Sequence, residues 1–184
     1  MNPLVLKFFG APGRGKSTGA GYTFALLKMA GVNAELVTEF AKDKVWEETV
    51  EVFKNQAYIF GKQSFRLSRC ADKVDVIVTD SPLLLSVIYN KEERLTDNFN
   101  NCVLDVFSSY NNMNFLLNRV KKYNPIGRYQ TEEESDKIGK EIKDTLDWYD
   151  IDYFEVDGCE SGYRLIVDRV LEYLNANKNN TEKH

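Results

Sequence analysis

The feature that most constrains the fold is a short apolar run followed at once by a glycine-rich loop. Leu4 to Phe9 reads as a buried strand, and Gly10 to Ser17 match the pattern G-x-x-x-x-G-K-[ST]. Glycines let successive backbone N–H groups turn toward one point, and the lysine adds a cation. Ser17 to Ala30 then reads as a helix, whose N-terminus favours an anion. Strand, loop and helix in this order predict a site for the phosphates of a nucleotide.

Two residues of the loop have distinct chemical roles. Lys16 is placed to contact the β- and γ-phosphates of a triphosphate, and the Ser17 hydroxyl can ligate Mg²⁺. We therefore expect ATP and Mg²⁺ as cofactors. A turn that only joins a strand to a helix would not require lysine and serine in this register. The residues predicted to contact the nucleotide are Gly10, Ala11, Pro12, Gly13, Arg14, Gly15, Lys16, Ser17 and Thr18.

The composition fits one globular domain and argues against several other classes. The 184 residues include 43% hydrophobic side chains, enough for a sizeable core. The apolar runs are too short to span a membrane, and the three cysteines include no C-x-x-C pair, so we expect a cytoplasmic protein without a zinc site or a disulfide framework. The net charge of −4 argues against a broad nucleic-acid-coating surface.

Short apolar strands alternate with helical segments. This alternation implies crossover connections and predicts an α/β three-layer sandwich, with a five-stranded parallel sheet between helices. We expect one domain over 1–174, with a lid at 119–130, and a disordered polar tail at 175–184. The predicted strands are Leu4 to Phe9, Ala34 to Thr38, Val74 to Thr79, Asn114 to Asn118 and Tyr153 to Val156. The predicted helices are Ser17 to Ala30, Lys44 to Ala71, Leu83 to Tyr89, Asp97 to Tyr110, Thr131 to Tyr149 and Gly162 to Leu174, with a Thr131–Glu134 capping box.

Acidic residues follow three predicted strands, where ligands of parallel sheets bind. Asp80 ends the third strand and is predicted to hold Mg²⁺ with Ser17; its alternative role is to cap the next helix. Asp157 follows the fifth strand, where backbone atoms are expected to contact the purine of the nucleotide. A plain turn between a strand and a helix is the alternative.

A catalytic base is expected to be a carboxylate, because the one histidine is the last residue, His184. Glu39 ends the second strand, beside the phosphate loop, where it can aim or deprotonate an attacking hydroxyl. The alternative is a solvated acid paired with Lys42 or Lys44.

The segment from Arg119 to Gln130 holds four cations and no acid. Arginines that close over a transferring phosphoryl group stabilise its charge and exclude water, and Gly127 suits a loop that folds down. We predict catalytic roles for Arg119 and Arg128. A solvated basic loop or a docking patch for an acidic partner is the alternative.

The segment after Glu39 is where an acceptor would lie. Gln63 and Arg66 are three residues apart and share a helix face, so both could hydrogen-bond to the edge of a base or ring. Tyr58 could stack on the same ring. Ordinary surface polarity accounts for the pair equally well. The other aromatic side chains of this segment, Trp46 among them, are expected to be mostly core.

Taken together, these residues resemble the small phosphate-loop kinases, especially the nicotinamide riboside kinase-like group and its phage-encoded relatives. The resemblance rests on GAPGRGKS, the strand ends VTEFAKD and IVTDSP, and the segment R-x-K-x-Y-N-P-x-G-R-x-Q-T-E, and covers most of residues 4 to 174. It implies a nucleoside-kinase-like fold, ATP, Mg²⁺ and transfer to an alcohol. Phage relatives of this class include kinases that act on 5-hydroxymethyluracil in DNA. In this family an acid–arginine pair is common after the second strand, whereas this chain has Glu39-Phe40 there. The resemblance therefore does not identify the acceptor.

The sequence therefore predicts an ATP-dependent kinase for a nucleoside- or nucleotide-like hydroxyl, with DNA open as a substrate. An ATPase or nucleotide-gated binding module, in which Glu39 activates water, is the alternative. The sequence is compatible with either a monomer or a homodimer.

Overall fold

A single parallel sheet organises the chain. The computed structural model describes residues 3–124 and 131–181. Within them, the five-stranded sheet has the order β2-β3-β1-β4-β5, and every neighbouring pair is parallel. The predicted α/β fold is confirmed. The strands are β1 (Leu4–Phe9), β2 (Ala34–Val37), β3 (Val76–Thr79), β4 (Asn111–Asn118) and β5 (Phe154–Asp157).

Helices cover both faces of the sheet. One face packs against α1 and α7, through side chains such as Leu27 and Ile166, and the other packs against helices from α3 to α6. Within the described residues, every helix is too short or too polar to span a lipid bilayer. The helices are α1 (Lys16–Met29), α2 (Phe40–Trp46), a 3-10 helix (Val50–Lys54), α3 (Gln56–Ser68), α4 (Leu85–Tyr89), α5 (Asp97–Ser108), α6 (Glu132–Trp148) and α7 (Glu160–Thr181).

The central strand β1 is buried along its whole length because it pairs on both edges and is covered on both faces. One of its buried side chains is a lysine. Lys7 is fully buried, its Nζ lies 3.6 Å from the centroid of the Phe107 ring, and it donates a hydrogen bond of 3.5 Å to the Phe107 carbonyl. Burial holds the pKa of Lys7 well below its ordinary value.

The single helix predicted from Lys44 to Ala71 is wrong. The segment divides into α2, the 3-10 helix and α3, with Glu48 at a φ of 55° just after α2. The Asn55 side chain then accepts a hydrogen bond of 3.0 Å from the Tyr58 N–H and caps α3. The break turns α2 into a separate element beside the loop after β2.

The last two helices differ in how well the sequence predicted their ends. The Thr131–Glu134 capping box is present at the start of α6, as predicted. However, α7 continues to Thr181, so most of the segment predicted as a disordered tail is helical. Residues 182–184 lie outside the described part of the chain.

Candidate functional site

The loop between β1 and α1 has a backbone shape that requires glycine. Gly13 and Gly15 have φ angles of 85° and 86°, in the left-handed region that side-chain-bearing residues rarely adopt. The Tyr163 hydroxyl, from α7, donates a hydrogen bond of 3.1 Å to the Gly15 carbonyl. A Cβ at Gly15 would collide with that hydroxyl. The loop is therefore shaped by its glycines and held by α7.

Lys16 folds back over this loop at the start of α1. Its Nζ donates hydrogen bonds of 2.6 Å to the Gly10 carbonyl and 3.3 Å to the Ala11 carbonyl. Ser17 and Thr18 follow in the first turn of α1 and are exposed. A cation, a hydroxyl and the N–H groups of a helix N-terminus thus share one small region, which suits a phosphate group.

One cavity brings together the residues after β1, β2 and β3. Because β3 pairs with both β1 and β2, the loops that follow these strands are neighbours. The cavity has a volume of about 240 Å³. The predicted metal ligands and the predicted base thus meet in one place. The cavity is lined by Ser17, Ala20, Leu36, Thr38, Glu39, Lys42, Asp43, Trp46 and Asp80.

Asp80 has the properties of a magnesium ligand. Its side chain is 4% exposed, and its Oδ1 has no hydrogen-bond partner among the described residues. A buried, unpaired carboxylate oxygen is costly unless a cation binds it. Leu84, not Asp80, precedes α4 as its N-cap, so the alternative capping role is not the one observed.

The donor set suits Mg²⁺ better than a metal held by protein alone. Ser17 and Asp80 offer oxygen atoms, and Mg²⁺ is usually bound by one or two protein oxygens together with substrate phosphates and water. No group of three or more His, Cys, Asp or Glu side chains that could hold a metal occurs in the described residues. The residues present therefore fit Mg²⁺ bound together with a nucleotide.

Glu39 occupies the N-cap position of α2, but its side chain accepts no capping hydrogen bond. The predicted alternative partner Lys44 instead pairs with Glu47. Burial raises the pKa of the Glu39 carboxyl, Lys16 opposes this rise, and the nearby Asp80 adds to it. A carboxyl group with a raised pKa is a better proton acceptor than an ordinary glutamate, because it is more basic.

Gln63 and Arg66 both bind the backbone of the turn just before Glu39. The Gln63 Nε2 and the Arg66 Nη1 each donate a hydrogen bond of 3.3 Å to the Thr38 carbonyl. Arg66 also forms an ion pair with Asp43. The contacts give both side chains a role in holding the turn that carries Glu39, and their contact with an acceptor stays a prediction.

The exposed aromatic side chain at the cavity is Trp46, which the sequence placed among core residues. Its side chain is 72% exposed and lines the cavity, whereas Tyr58 packs edge-to-face on Phe40 with ring centroids 5.6 Å apart. Trp46 follows Lys42 by four residues on α2, and that spacing places both on one helix face. This spacing was the sequence signal that could have identified Trp46.

The two described arginines near the loop are directed toward α6. Arg119 forms ion pairs with Glu132 at 2.8 Å and with Asp136 at 2.7 Å. The Arg14 Nη1 donates a hydrogen bond of 3.5 Å to the Leu117 carbonyl, so its side chain lies on the α6 side of the loop rather than beside Lys16. Arg128, the second predicted lid arginine, lies outside the described residues.

The turn after β5 packs directly on the phosphate loop. The Gly158 N–H donates a hydrogen bond of 3.0 Å to the Asn118 carbonyl, and a Cβ on Gly158 would collide with the Arg14 carbonyl. The Asp157 carbonyl accepts a hydrogen bond of 2.8 Å from the Cys159 N–H. The turn therefore lies against the phosphate loop. Asp157 is the last residue of β5 rather than the residue after it, and contact of this turn with a purine stays a prediction.

Comparison with known proteins places the chain in a family. The model of an AAA domain family matches residues 6–161. The chain belongs to this AAA domain family. The part of the chain that the AAA domain model matches contains the phosphate loop, Glu39, Asp80 and Arg119.

A solved structure gives an independent comparison of the fold. The structure of deoxyadenosine kinase from M. mycoides with bound dATP is similar, with a TM-score of 0.51 and 16% sequence identity. The likeness covers 93% of this chain and 99% of that chain. It confirms the predicted nucleoside-kinase-like fold. A comparison with curated proteins finds no match.

Proposed function

We propose that this AAA domain protein is an ATP-dependent phosphotransferase that moves the γ-phosphoryl group of ATP to a hydroxyl group of a nucleoside- or nucleotide-like acceptor. The observation that carries the proposal is one cavity shared by Ser17, Glu39 and Asp80. A carboxylate that shares a cavity with a residue of the phosphate loop supports entry of the acceptor on this side. Phosphoryl transfer needs little more than positioned groups and charge stabilisation, which these residues can supply.

The donor is bound by the loop. Backbone N–H groups of Gly13 to Ser17 and the Nζ of Lys16 contact the phosphates, and Lys16 exchanges its bonds to the Gly10 and Ala11 carbonyls for phosphate oxygens. Ser17 and Asp80 would hold Mg²⁺, which neutralises charge on the β- and γ-phosphates. The purine lies near the turn at Asp157, where it contacts backbone atoms.

Glu39 accepts the proton of the acceptor hydroxyl as it attacks, or orients that hydroxyl. Its raised pKa brings its basicity nearer to what proton transfer at neutral pH requires. Lys16 lies close enough to oppose the rise in that pKa, so the base and the phosphate-binding cation act in the same space. Arg119 and Arg128 supply positive charge to the transferring group from the lid.

The acceptor carries a planar ring. The cavity of about 240 Å³ is smaller than the roughly 300 to 1,000 Å³ typical of ligand sites, which favours a small acceptor. Trp46 offers an exposed ring at that cavity on which a base can stack. Gln63 and Arg66 bind the turn at Thr38, which also lines the cavity, and Tyr58 packs on Phe40 of the same segment. A free nucleoside or a nucleotide meets these requirements. A hydroxymethylated pyrimidine extruded from a DNA strand presents the same ring and hydroxyl.

Incubation with γ-labelled ATP and Mg²⁺ tests the proposal. The acceptor panel comprises nucleosides, nucleotides and single-stranded DNA that contains hydroxymethylated pyrimidines. The matched controls are nucleosides and nucleotides that lack the hydroxyl group under test, and the same DNA with unmodified pyrimidines. Label on one acceptor class supports the kinase and names its substrate. Release of free phosphate that no acceptor changes would contradict it and would favour the alternative, an ATPase or a nucleotide-gated module.

A further inference from the structure

A buried serine connects the phosphate loop to the lid arginine. Ser135 is fully buried and lies in the first turns of α6. Its hydroxyl donates a hydrogen bond of 2.8 Å to the Pro12 carbonyl, and it accepts one of 3.0 Å from the Nη2 of Arg119. A serine hydroxyl has one proton and two acceptor sites, so both bonds form at once.

Two carboxylates of α6 hold the same arginine. Arg119 is paired with Glu132 through Nη1 and with Asp136 through Nη2, and its side chain is 14% exposed. The Tyr123 ring lies 5.4 Å from the guanidinium carbon. Because a guanidinium is planar and rigid, contacts on two of its nitrogens fix the direction of the whole group.

Arg14 shares this cluster from the loop itself. Its Nη2 lies 3.9 Å from the same Asp136 carboxylate that binds Arg119. Burial lowers the pKa of Arg14, and the nearby charge of Arg119 lowers it further. The two cations are thus close together and depend on Asp136, while a Cβ at Gly139 would collide with the Arg14 side chain. Movement of the loop and movement of Arg119 cannot be independent in such a cluster.

We propose that Ser135 is a positioning residue that couples occupation of the phosphate loop to the placement of Arg119; this inference rests on the proposed phosphotransferase function. When phosphates bind, the loop adjusts, the Pro12 carbonyl moves with it, and Ser135 carries that movement to the guanidinium. Without the hydroxyl, Arg119 keeps its ion pairs with Glu132 and Asp136 but loses its hydrogen-bonded link to the Pro12 carbonyl.

The coupling acts on the transition state more than on ATP binding. Negative charge spreads over the γ-phosphoryl oxygens during transfer, and a misplaced cation fails to stabilise it, whereas Lys16 and the loop amides still bind ATP. We expect Ser135→Ala to lower kcat by about 10- to 100-fold and to change the KM for ATP by about twofold or less.

A matched variant separates this role from a structural one. Thr131→Ala removes the capping box of the same helix without touching Pro12 or Arg119. If Ser135 only stabilised α6, the two variants would lower activity alike. We expect Thr131→Ala to keep kcat within about threefold of the wild type, since Thr131 caps the helix and contacts neither Pro12 nor Arg119.

A double-mutant cycle tests whether Ser135 acts through Arg119. We expect Arg119→Gln to lower kcat, and Ser135→Ala to add little when Arg119 is already replaced. Additive losses in the double variant, or equal losses in kcat from Ser135→Ala and Thr131→Ala, would overturn the inference. Ser135→Cys, which keeps a side chain of similar size with a weak donor, serves if Ser135→Ala does not fold.

A binding measurement makes the test independent of phosphoryl transfer. The nitrogen NMR signal of the Arg119 Nε–H, assigned by its loss in Arg119→Gln, is followed while Mg²⁺ and ADP are added. ADP fills the loop without a γ-phosphate that Arg119 could touch. We expect the signal to shift less in Ser135→Ala than in the wild type, while loop amide signals shift equally in both.

The two measurements separate the two proposals. Equal shifts of the Arg119 signal in both proteins would overturn the coupling, even if labelled phosphate reaches an acceptor. A larger shift in the wild type than in Ser135→Ala, in a protein that transfers phosphate to no acceptor, would support the coupling and contradict the phosphotransferase.

Discussion

The amide oxygen of Gln63 accepts a hydrogen bond of 2.8 Å from the backbone N–H of Phe40. The amide nitrogen of the same side chain donates to the Thr38 carbonyl at 3.3 Å. Gln63 thus binds the residue before Glu39 and the residue after it. The N–H of Phe40 belongs to the first turn of α2, where a helix has no acceptor of its own. The position of the proposed base therefore depends on a side chain from α3.

Replacement of Gln63 by leucine tests this dependence. Gln63→Leu leaves the Phe40 N–H buried without an acceptor, so we expect the free energy of unfolding to fall by about 1 to 3 kcal/mol. Phosphoryl transfer should slow as well, because Glu39 is misplaced. Urea unfolding and a transfer assay measure both effects. The exposed neighbour Lys62, changed to alanine, should alter stability by less than about 0.5 kcal/mol. Equal stabilities of the two variants would contradict the dependence.

Tryptophan fluorescence tests whether the acceptor stacks on Trp46. The chain contains two tryptophans, Trp46 and Trp148, and both are highly exposed. In Trp148→Phe, only Trp46 emits, and we expect acceptor binding to quench or shift its emission. In Trp46→Phe, the same titration should leave the Trp148 emission unchanged, because Trp148 does not line the cavity. A response from Trp148 alone would place the acceptor elsewhere.

Two glycines of the α1 region allow a matched test of the phosphate loop. Gly15→Ala forces a side-chain-bearing residue to a φ of 86° and against the Tyr163 hydroxyl. We expect its affinity for ATP, measured by calorimetry, to fall about tenfold or more. A Cβ at Gly21, within α1, meets no atom within 4 Å. Gly21→Ala should therefore bind ATP normally and gain about 0.5 to 1 kcal/mol in stability. Normal binding by Gly15→Ala would refute the loop geometry.

The buried Lys7 predicts an unusual pH dependence of stability. Burial lowers its pKa in the folded protein, so the unfolded chain binds a proton that the folded chain does not, between that lowered value and the ordinary value of 10.5. Stability should therefore rise with pH through this window. Lys7→Met should remove that rise and increase stability at neutral pH.

Urea unfolding at several pH values between about 7 and 10 measures the effect of Lys7. Lys28, an exposed lysine of α1, provides the control, and Lys28→Met should keep the wild-type slope. A slope that Lys7→Met leaves unchanged would show that Lys7 is not the titrating group.

Features set by neighbouring residues were predictable from the sequence. The phosphate loop depends on backbone conformations that glycine adopts readily, and the Thr131–Glu134 capping box acts within a few residues. The position of Asp80 follows from the end of an apolar strand. Each of these signals lies in a short window, so the fold and the donor side of the site could be predicted from them.

Features set by distant contacts were not predictable. Gln63 and Arg66 have the spacing of a surface pair, but the turn at Thr38 covers Gln63 and uses its amide. Arg14 lies within the loop motif, yet its side chain points toward Asp136 of α6 rather than toward the predicted phosphate site. The break after α2 occurs at Glu48, where a positive φ is not signalled by residue type. In each case, a tertiary contact or a backbone conformation overrides the local pattern.

The central claim is that the Glu39 carboxylate acts on the acceptor hydroxyl. Glu39→Gln keeps the size of the side chain and removes its basicity. Burial raises the pKa of Glu39 in the folded protein, so ionisation of this group opposes folding at neutral pH. Glu39→Gln should therefore be at least as stable as the wild type, and a loss of transfer cannot be assigned to unfolding.

The most direct measurement is the single-turnover rate of phosphoryl transfer by the wild type and Glu39→Gln across pH, at saturating ATP and with the acceptor that accepts label. We predict a rate lower by about 10² to 10⁴-fold in Glu39→Gln, with unchanged ATP affinity. The transfer rate of the wild type should fall as the pH is lowered, at a pH above the ordinary pKa of glutamate. This fall should be absent from the variant. Transfer by Glu39→Gln at the wild-type rate and with the wild-type pH profile would contradict the claim.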